Sequence, residues 1–221
     1  MGKKVVVINT SFVSKDTLNY LFGEILPGVE IRHIVDDSLL AEVMQNEGVT
    51  PGVQARMCAY VMQAASLKPD LIFNQCSSVG EAFDNAIKQI NCKTLKIDQP
   101  MAEECVKLCP DGGKIAVVAT VSSTVAPSVR LVENEVKLSG KSIEVKSYLV
   151  KDALKILMSP NGQQKHNDLV MAEIKKAAGE CDVIDLCQGS MFVLEPLLSE
   201  IKKPVLTSPR LAIEKIKEIL G

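Results

Sequence analysis

The two halves of this chain resemble each other. Lys4–Thr10 (KVVVINT) matches Lys114–Thr120 (KIAVVAT) at an offset of 110 positions. Other landmarks recur in the same order at offsets between 109 and 114: Val29-Glu-Ile-Arg with Ile143-Glu-Val-Lys, Asp70-Leu-Ile-Phe with Asp182-Val-Ile-Asp, and Cys76 with Cys187. A fixed order at a nearly constant spacing indicates two copies of one structural unit. Each copy spans about half of the 221 residues.

The pattern within each copy predicts an α/β fold. Continuous apolar segments such as Val5–Ile8 and Ile115–Val118 alternate with helical segments, which is typical of parallel sheets covered on both faces. We therefore expect two pseudo-symmetric lobes, each a parallel-sheet, flavodoxin-like unit, with the active site between them. Pro204–Leu206 matches the last strand of the first copy, and Arg210–Leu220 supplies a closing helix. The first lobe is thus expected at 1–97 plus 205–221, and the second at 98–204.

Composition excludes several classes of function. A net charge of −2 and 4% aromatic residues argue against a nucleic-acid-binding surface, which needs clustered cations and stacking rings. The N-terminal apolar run, Val5–Ile8, is too short for a signal peptide or a membrane span, so no membrane partner is expected. Seven cysteines, an odd number without an export signal, indicate reduced thiols in a cytoplasmic protein.

Polar clusters follow four of the predicted strands. They are Asn9-Thr10-Ser11, Cys76-Ser77-Ser78, Thr120 with Ser122 and Ser123, and Cys187-Gln188-Gly189. Ligands of parallel α/β sheets bind beyond the carboxyl ends of the strands, so these clusters predict a binding site. The alternative is that the hydroxyl residues are only helix N-caps. The clusters contain no Lys or Arg, and Arg210 is the nearby cationic candidate, so we expect neutral groups to bind a small carboxylate.

Two of the cysteines are candidate catalytic groups. Ser78-Val-Gly-Glu81 is a capping-box pattern, which predicts a helix beginning just after Cys76 and a lowered pKa for that thiol. Cys187 occupies the corresponding place in the second copy. Two such thiols on opposite faces of a carbon centre could act as base and acid and so invert its configuration.

The other thiols and the histidines predict neither a metal nor a cofactor. Five cysteines fall in or beside predicted helices and strands, where a thiol packs as a small apolar group: Cys58, Cys92, Cys105, Cys109 and Cys181. Cys105 and Cys109 are one helical turn apart, but no Cys or His pair completes a metal site, and no Cys-x-x-Cys motif is present. Gly112-Gly113 precedes a strand, whereas the glycines of a dinucleotide site follow one.

These residues resemble the aspartate/glutamate/hydantoin racemase superfamily along the whole chain. The resemblance rests on Asn9-Thr10-Ser11, Cys76-Ser77-Ser78, Ala119-Thr120 with Ser123, Cys187-Gln188-Gly189 and Pro204–Arg210. It implies a racemase that uses no pyridoxal phosphate, with Cys76 and Cys187 as the acid/base thiols. It also implies that Asn9, Ser77, Ser78, Thr120, Ser123 and Gln188 bind the substrate carboxylate. Members of this superfamily are often dimeric, so a homodimer is expected.

The same residues leave the substrate and the reaction open. Glutamate racemases have a Cys-Thr-His-like segment at the second thiol and aspartate racemases a Cys-Thr-Glu-like segment, whereas this chain has Cys187-Gln188-Gly189. Hydantoins and other small acids therefore stand beside glutamate and aspartate as substrates. Maleate cis-trans isomerases resemble this chain in having both cysteines and use one as a nucleophile. A non-catalytic carboxylate-binding module is the third alternative.

Overall fold

The computed structural model describes residues 2–12 and 15–221. Strands of the described residues form two four-stranded sheets, with orders β2-β1-β3-β4 and β6-β5-β7-β8, in which all pairs are parallel. The strands are β1 Lys4–Asn9, β2 Glu30–Val35, β3 Leu71–Asn74, β4 Thr94–Lys96, β5 Lys114–Ala119, β6 Glu144–Leu149, β7 Val183–Leu186 and β8 Val205–Thr207. The two sheets thus repeat one strand order, which confirms the predicted fold class.

Helices connect successive strands. The α-helices are α1 Lys15–Ile25, α2 Ser38–Gln45, α3 Pro51–Ser66, α4 Gly80–Ala86, α5 Gln99–Leu108, α6 Ser122–Ser139, α7 Ala153–Leu157, α8 Gln163–Glu180 and α9 Ser208–Leu220. In the described part of the chain, three 3₁₀ helices lie at Ser77–Val79, Ile87–Gln89 and Gly189–Glu200. Among the described residues, no helix combines the length and apolar character needed to cross a bilayer.

The central strands are buried on both faces. Val5–Ile8 in β1 and Ile115–Ala119 in β5 have no exposed side chain, as expected of strands that read as uninterrupted apolar runs. One face of the first sheet packs on α3 and α4 through residues such as Ile72 and Phe83. The second sheet packs on α8 in the same manner through Ile184 and Ile174.

A pair of aspartates repeats at the start of the central strands. The Asp70 carboxylate accepts the backbone N–H of Lys4 at 2.8 Å, and the Asp182 carboxylate accepts that of Lys114 at 3.0 Å. Each bond ties the residue before β3 or β7 to the first residue of the neighbouring central strand. These N–H groups come first in their ladders, and the two carboxylates satisfy them. The repeat therefore extends to individual hydrogen bonds.

The chain divides into two compact units. The first contains residues 1–100 and 209–221, and the second contains residues 101–208. Strand β8, which we expected in the first lobe, pairs with β7 in the second sheet, so the chain returns to the first unit only at Pro209. The reason is that Val205–Thr207 finds its hydrogen-bond partners along β7, as β4 does along β3. Helix α5 correspondingly belongs to the second unit from Met101.

Candidate active site

Cys76 is the accessible residue of a buried turn in the first unit. It follows β3, has extended backbone angles (φ −126°, ψ 119°) and precedes the 3₁₀ helix Ser77–Val79. Gln75 before it and Ser77, Ser78 and Val79 after it are all buried, whereas Cys76 is partly exposed. The carboxyl end of a parallel strand is the usual place for reactive groups in such folds. The structure therefore places this partly exposed residue at the strand end where ligands bind in such folds.

Hydrogen bonds converge on the Cys76 sulfur. They come from the Thr10 hydroxyl, from the hydroxyl and backbone N–H of Ser78, and from the backbone N–H of Val79. Each bond favours the thiolate and lowers the pKa of Cys76, but desolvation of the sulfur outweighs them and the pKa is raised. This differs from the lowered pKa that the sequence predicts.

The capping box predicted beside Cys76 does not form. Helix α4 begins at Gly80, its N-cap is Val79, and no side chain caps it. The Ser78 hydroxyl is instead directed at the Cys76 sulfur. The stabilisation of a thiolate at this turn therefore comes from individual donors and not from the end of a long helix.

The side-chain amide of Asn9, expected at the binding site, is engaged within the first sheet. Its amide nitrogen lies 3.2 Å from the Val7 carbonyl oxygen, 3.1 Å from His33 Nδ1 and 3.4 Å from the Ile34 carbonyl oxygen. The amide hydrogens are thus engaged inside the first sheet and do not point to a carboxylate. Asn9 Oδ1 is buried and has no hydrogen-bond partner among the residues described. Ser11, after it, is partly exposed.

A second polar group lies beside the Cys76 turn, at the carboxyl end of β4. The Ser77 hydroxyl, expected to bind substrate, donates to the carboxyl group of Asp98. Lys96 forms a 2.7 Å ion pair with Asp84. The sequence analysis missed Asp98 and Lys96. The signal was available, because Asp98 is a polar residue just after a predicted strand, like the residues of the four clusters.

The polar groups at the end of β2 satisfy one another. The Asp36 carboxylate accepts hydrogen bonds from Arg56 at 3.2 Å and from the Tyr60 hydroxyl at 2.8 Å. Arg56 also contacts Ser38 and the Glu42 carboxylate. A cation held by two carboxylates has little attraction left for an anionic ligand. We therefore regard this cluster as structural.

In the second unit, Gln188 connects the end of β7 with the start of α6. Its Oε1 accepts the backbone N–H of Thr120 at 2.6 Å and the Thr120 hydroxyl at 3.0 Å. Its Nε2 donates to the Thr124 hydroxyl at 2.9 Å. Thr120 and Gln188 are thus brought together as predicted, and Thr124 is a member that the sequence analysis missed. Of the other predicted residues here, Ser122 is exposed, Ser123 is buried, and Gly189 is partly exposed at the start of a 3₁₀ helix.

Strand register shows that Cys187 is not the counterpart of Cys76. The Gln75 N–H donates to the Ile8 carbonyl at 3.0 Å, and the Cys187 N–H donates to the Val118 carbonyl at 3.2 Å. Ile8 and Val118 are matching residues of the central strands, paired with the last residues of β3 and β7. Cys187 therefore corresponds to Gln75. Both residues are buried, and Cys187 is 1% exposed.

Gln188 occupies the position in the second unit that matches Cys76. Its backbone angles (φ −127°, ψ 134°) match those of Cys76, and it also precedes a 3₁₀ helix. The matching threonines, Thr10 and Thr120, bond to Cys76 and Gln188 respectively. The equivalence of the two cysteines inferred from the sequence is thus wrong by one residue. Cys187 is the first residue after β7, whereas Cys76 is the second residue after β3.

Buried oxygens without hydrogen-bond partners gather at the ends of strands. In the described part of the chain they include Asn9 Oδ1 after β1, Gln75 Oε1 after β3, Asp98 Oδ1 after β4, Ser123 Oγ after β5 and Ser208 Oγ after β8. Buried polar atoms normally have partners, and exceptions concentrate where water, an ion or a ligand completes them. The carboxyl ends of the strands in each unit are therefore the candidate functional surface.

Arg210 and the buried cysteines have structural contacts. Arg210 pairs with the Glu24 carboxylate of α1 through bonds of 2.8 and 3.2 Å. Cys105, Cys109 and Cys181 are buried, as expected of thiols that fill the core. The residues described include no group of three or more metal-binding side chains.

Comparison with solved structures identifies the fold. A glutamate racemase from Bacillus anthracis superposes with a TM-score of 0.75 at 15% identity, over 99% of this chain and 81% of the other. An aspartate racemase from Picrophilus torridus gives 0.70 at 15% identity over 99% and 94%. An allantoin racemase from Klebsiella pneumoniae gives 0.68 at 15% identity over 99% and 88%. No family model and no curated protein matches the sequence. The chain therefore shares the fold of these racemases over its whole length.

Proposed function

We propose that the protein is a cofactor-independent racemase or epimerase of a small amino acid, a related carboxylate or a hydantoin. Its acid/base thiols in this proposal are Cys76 and Cys187, which requires the buried Cys187 to become accessible to the substrate. The observation that supports this most directly is the Cys76 sulfur, placed at the carboxyl end of β3 and surrounded by hydrogen-bond donors. The shared fold supports a racemase reaction, since the superposed proteins include glutamate, aspartate and allantoin racemases.

The proposed reaction is a proton exchange at carbon. The Cys76 thiolate removes the α-proton, so that the C–H bond breaks, an S–H bond forms and the electron pair passes into the adjacent carbonyl group. The Cys187 thiol then donates its proton to the opposite face of the carbon, which inverts the configuration. Neutral hydrogen-bond donors at the strand ends stabilise the enolate-like charge. The raised pKa of Cys76 makes its thiolate a stronger base, although a smaller fraction is ionised at neutral pH.

The register of β7 supports a second candidate. Because Gln188 and not Cys187 occupies the position matching Cys76, the reaction could need a single thiol. In a cis-trans isomerase of an unsaturated diacid, the Cys76 thiolate adds to the C=C bond. A C–S bond forms, and the electron pair moves into the neighbouring carboxyl group. Rotation about the resulting single bond and expulsion of the thiolate restore the double bond in the other geometry.

Proton exchange in D₂O distinguishes these candidates. The protein is incubated with a panel of amino acids, hydroxy acids and hydantoins, and α-deuterium is measured by NMR. We expect product of inverted configuration to contain deuterium. Replacing either cysteine, Cys76→Ser or Cys187→Ser, should reduce turnover about 100-fold or more, as loss of a general acid or base does. Cys58→Ser, which removes another partly exposed thiol of the first unit, is the control and should keep full activity.

Three outcomes oppose the racemase proposal. If Cys187→Ser is fully active and mass spectrometry detects a Cys76 adduct with maleate, the isomerase is the better account. If carboxylates bind but no substrate on the panel exchanges its α-proton or forms an adduct, the protein is a binding module. If Cys76→Ser keeps full activity, the catalytic group lies elsewhere.

A further inference from the structure

Asp98 is held against the Cys76 turn by the backbone. The N–H of Ile97 donates to the carbonyl oxygen of Asn74, the last residue of β3, at 2.9 Å. This bond places the residues after β4 beside the residues after β3. Asp98 is only 6% exposed there, and the Ser77 hydroxyl donates to its carboxyl group. Ser77 is the first residue of the turn whose N–H groups and hydroxyl surround the Cys76 sulfur.

The cation near Asp98 is already paired with another carboxylate. Lys96, on the preceding strand, forms its 2.7 Å ion pair with Asp84 of α4. The Asp84 carboxylate is itself a like charge. Asp98 Oδ1 is buried and has no hydrogen-bond partner in the described parts of the chain. An ionised carboxylate in that position would keep a desolvated oxygen without compensation, which is costly.

Burial raises the pKa of Asp98. The Lys96 charge, the Ser77 hydroxyl and the backbone N–H of Asp98 itself lower it to a smaller extent, and the Asp84 charge adds only a minor increase. The charge of Asp98 matters for Cys76, because a second negative charge next to the turn would oppose formation of the thiolate.

We propose that Asp98 is a positioning residue for Cys76: an uncharged carboxyl group that holds the Ser77–Val79 turn through the Ser77 hydroxyl and keeps negative charge away from the thiol. The inference deepens the proposed function and rests on its assignment of Cys76 as the reactive thiol. It assigns Ser77 to the support of that thiol and not to the substrate.

The ionisation of Cys76 tests this without any substrate. The rate of alkylation by iodoacetamide is measured across pH, and the Cys76 peptide is followed by mass spectrometry. The Cys58 peptide of the same digest serves as an internal reference. Asp98→Asn, which stays uncharged and can accept from Ser77, should change the Cys76 rate less than about twofold. Asp98→Ala and Ser77→Ala should each lower it about three- to tenfold below the midpoint pH, equivalent to one neutral hydrogen bond.

Because the two residues act through one bond, the double variant Asp98→Ala/Ser77→Ala should be no slower than either single variant. The Ser77→Ala and Asp98→Asn variants keep the test valid if Asp98→Ala fails to fold. Acceleration of Cys76 alkylation about tenfold by Asp98→Asn at neutral pH would mean that Asp98 is ionised, which overturns the proposal. Unchanged rates in Ser77→Ala, or additive losses in the double variant, would also overturn it. Failure to find a racemase substrate would leave these rates unaffected, so the two proposals fail separately.

Discussion

At the scale of single residues, the chemistry of Cys76 depends on a balance between burial and hydrogen bonding. Burial raises the pKa of its thiol, and hydrogen bonds from Thr10, Ser78 and Val79 lower it. The net pKa is above the ordinary thiol value, so each donor has a direct effect on the amount of thiolate at neutral pH. Removing a donor cannot be offset by solvent, because Thr10 and Ser78 are themselves buried.

We predict that Thr10→Val and Ser78→Ala each raise the pKa of Cys76 further. Below the midpoint pH, alkylation of Cys76 by iodoacetamide should slow by about three- to tenfold for each lost neutral hydrogen bond. Ser66→Ala, which removes an exposed hydroxyl of the same unit, is the control and should have no effect. Equal rates in all three variants would show that these hydroxyls do not stabilise the thiolate.

His33 makes the first sheet sensitive to acid. Its Nδ1 accepts from the Asn9 amide, so the ring is uncharged and its Nε2–H donates to Asn19 Oδ1 at 2.9 Å. Burial, and to a smaller extent the charge of Lys15, lower the pKa of His33. The unfolded chain therefore binds this proton at a higher pH than the folded protein, and stability falls as the pH drops below the ordinary histidine pKa of about 6.5.

We predict that His33→Gln reduces this acid sensitivity. Urea unfolding of the parent protein should give a lower free energy of unfolding at about pH 5.5 than at about pH 7.5, a range in which ordinary carboxyl groups do not titrate. The difference should be smaller in His33→Gln, even if that variant is less stable at both pH values. A difference of the same size in the two proteins would contradict the prediction.

At the scale of secondary-structure elements, Asp70 and Asp182 have matching roles. Each satisfies the first N–H of a central strand, and the pKa of each is lowered: for Asp70 mainly by the Lys4 N–H, and for Asp182 by Lys203 and then the Lys114 N–H. A lowered folded-state pKa contributes stability that is present above the unfolded value and is lost as the pH falls through the folded value. The two copies of the unit thus use the same device.

We predict that Asp70→Asn and Asp182→Asn each destabilise the protein at neutral pH and weaken its dependence on pH below about 4. Urea unfolding at neutral and acid pH measures both effects. Asp111→Asn provides a comparison, since Asp111 accepts an N–H of the loop residue Ser142 and not of a strand. It should destabilise the protein least at neutral pH. A loss confined to one of the two matching variants would contradict the shared role.

At the scale of the whole molecule, the last helix belongs to the first unit, although the residues directly before it form the second unit. Helix α9 follows β8 of the second sheet but belongs to the first unit from Pro209 onward. Ile213 and Ile216 on this helix have no exposed surface, and Lys93 donates to the Ile219 carbonyl at 2.8 Å. The first unit is therefore complete only when helix α9 has folded onto it.

We predict that Ile216→Ala destabilises the first unit by about 2–5 kcal/mol through loss of core packing. Hydrogen exchange measured by mass spectrometry should increase mainly in 2–100 and 209–221. Ile174→Ala is the matched control, because Ile174 is equally buried but lies on α8 in the second unit. Its exchange should increase mainly in 101–208. The same exchange pattern in both variants would mean that the units do not unfold separately.

Much of the fold was predictable because its signals are local. Apolar strands and turn residues each depend on a few neighbouring residues. Their recurrence after about 110 positions can be read from the sequence, and it indicates two parallel α/β units. The positions of Cys76, Thr10 and Gln188 at strand ends follow from the same pattern. The residue at which the chain rejoins the first unit does not follow from it. That position depends on the pairing of β8 with β7, which no local sequence motif specifies.

By itself, the sequence determined the repeated α/β architecture and the polar residues at the ends of its strands. Only the tertiary structure decided that Cys187 corresponds to Gln75 and Gln188 to Cys76, because a one-residue difference is set by hydrogen bonds between strands. It also decided the direction of the Cys76 pKa and the place of Asp98. Desolvation and the contacts of a side chain depend on residues distant in sequence, so no local pattern could predict them.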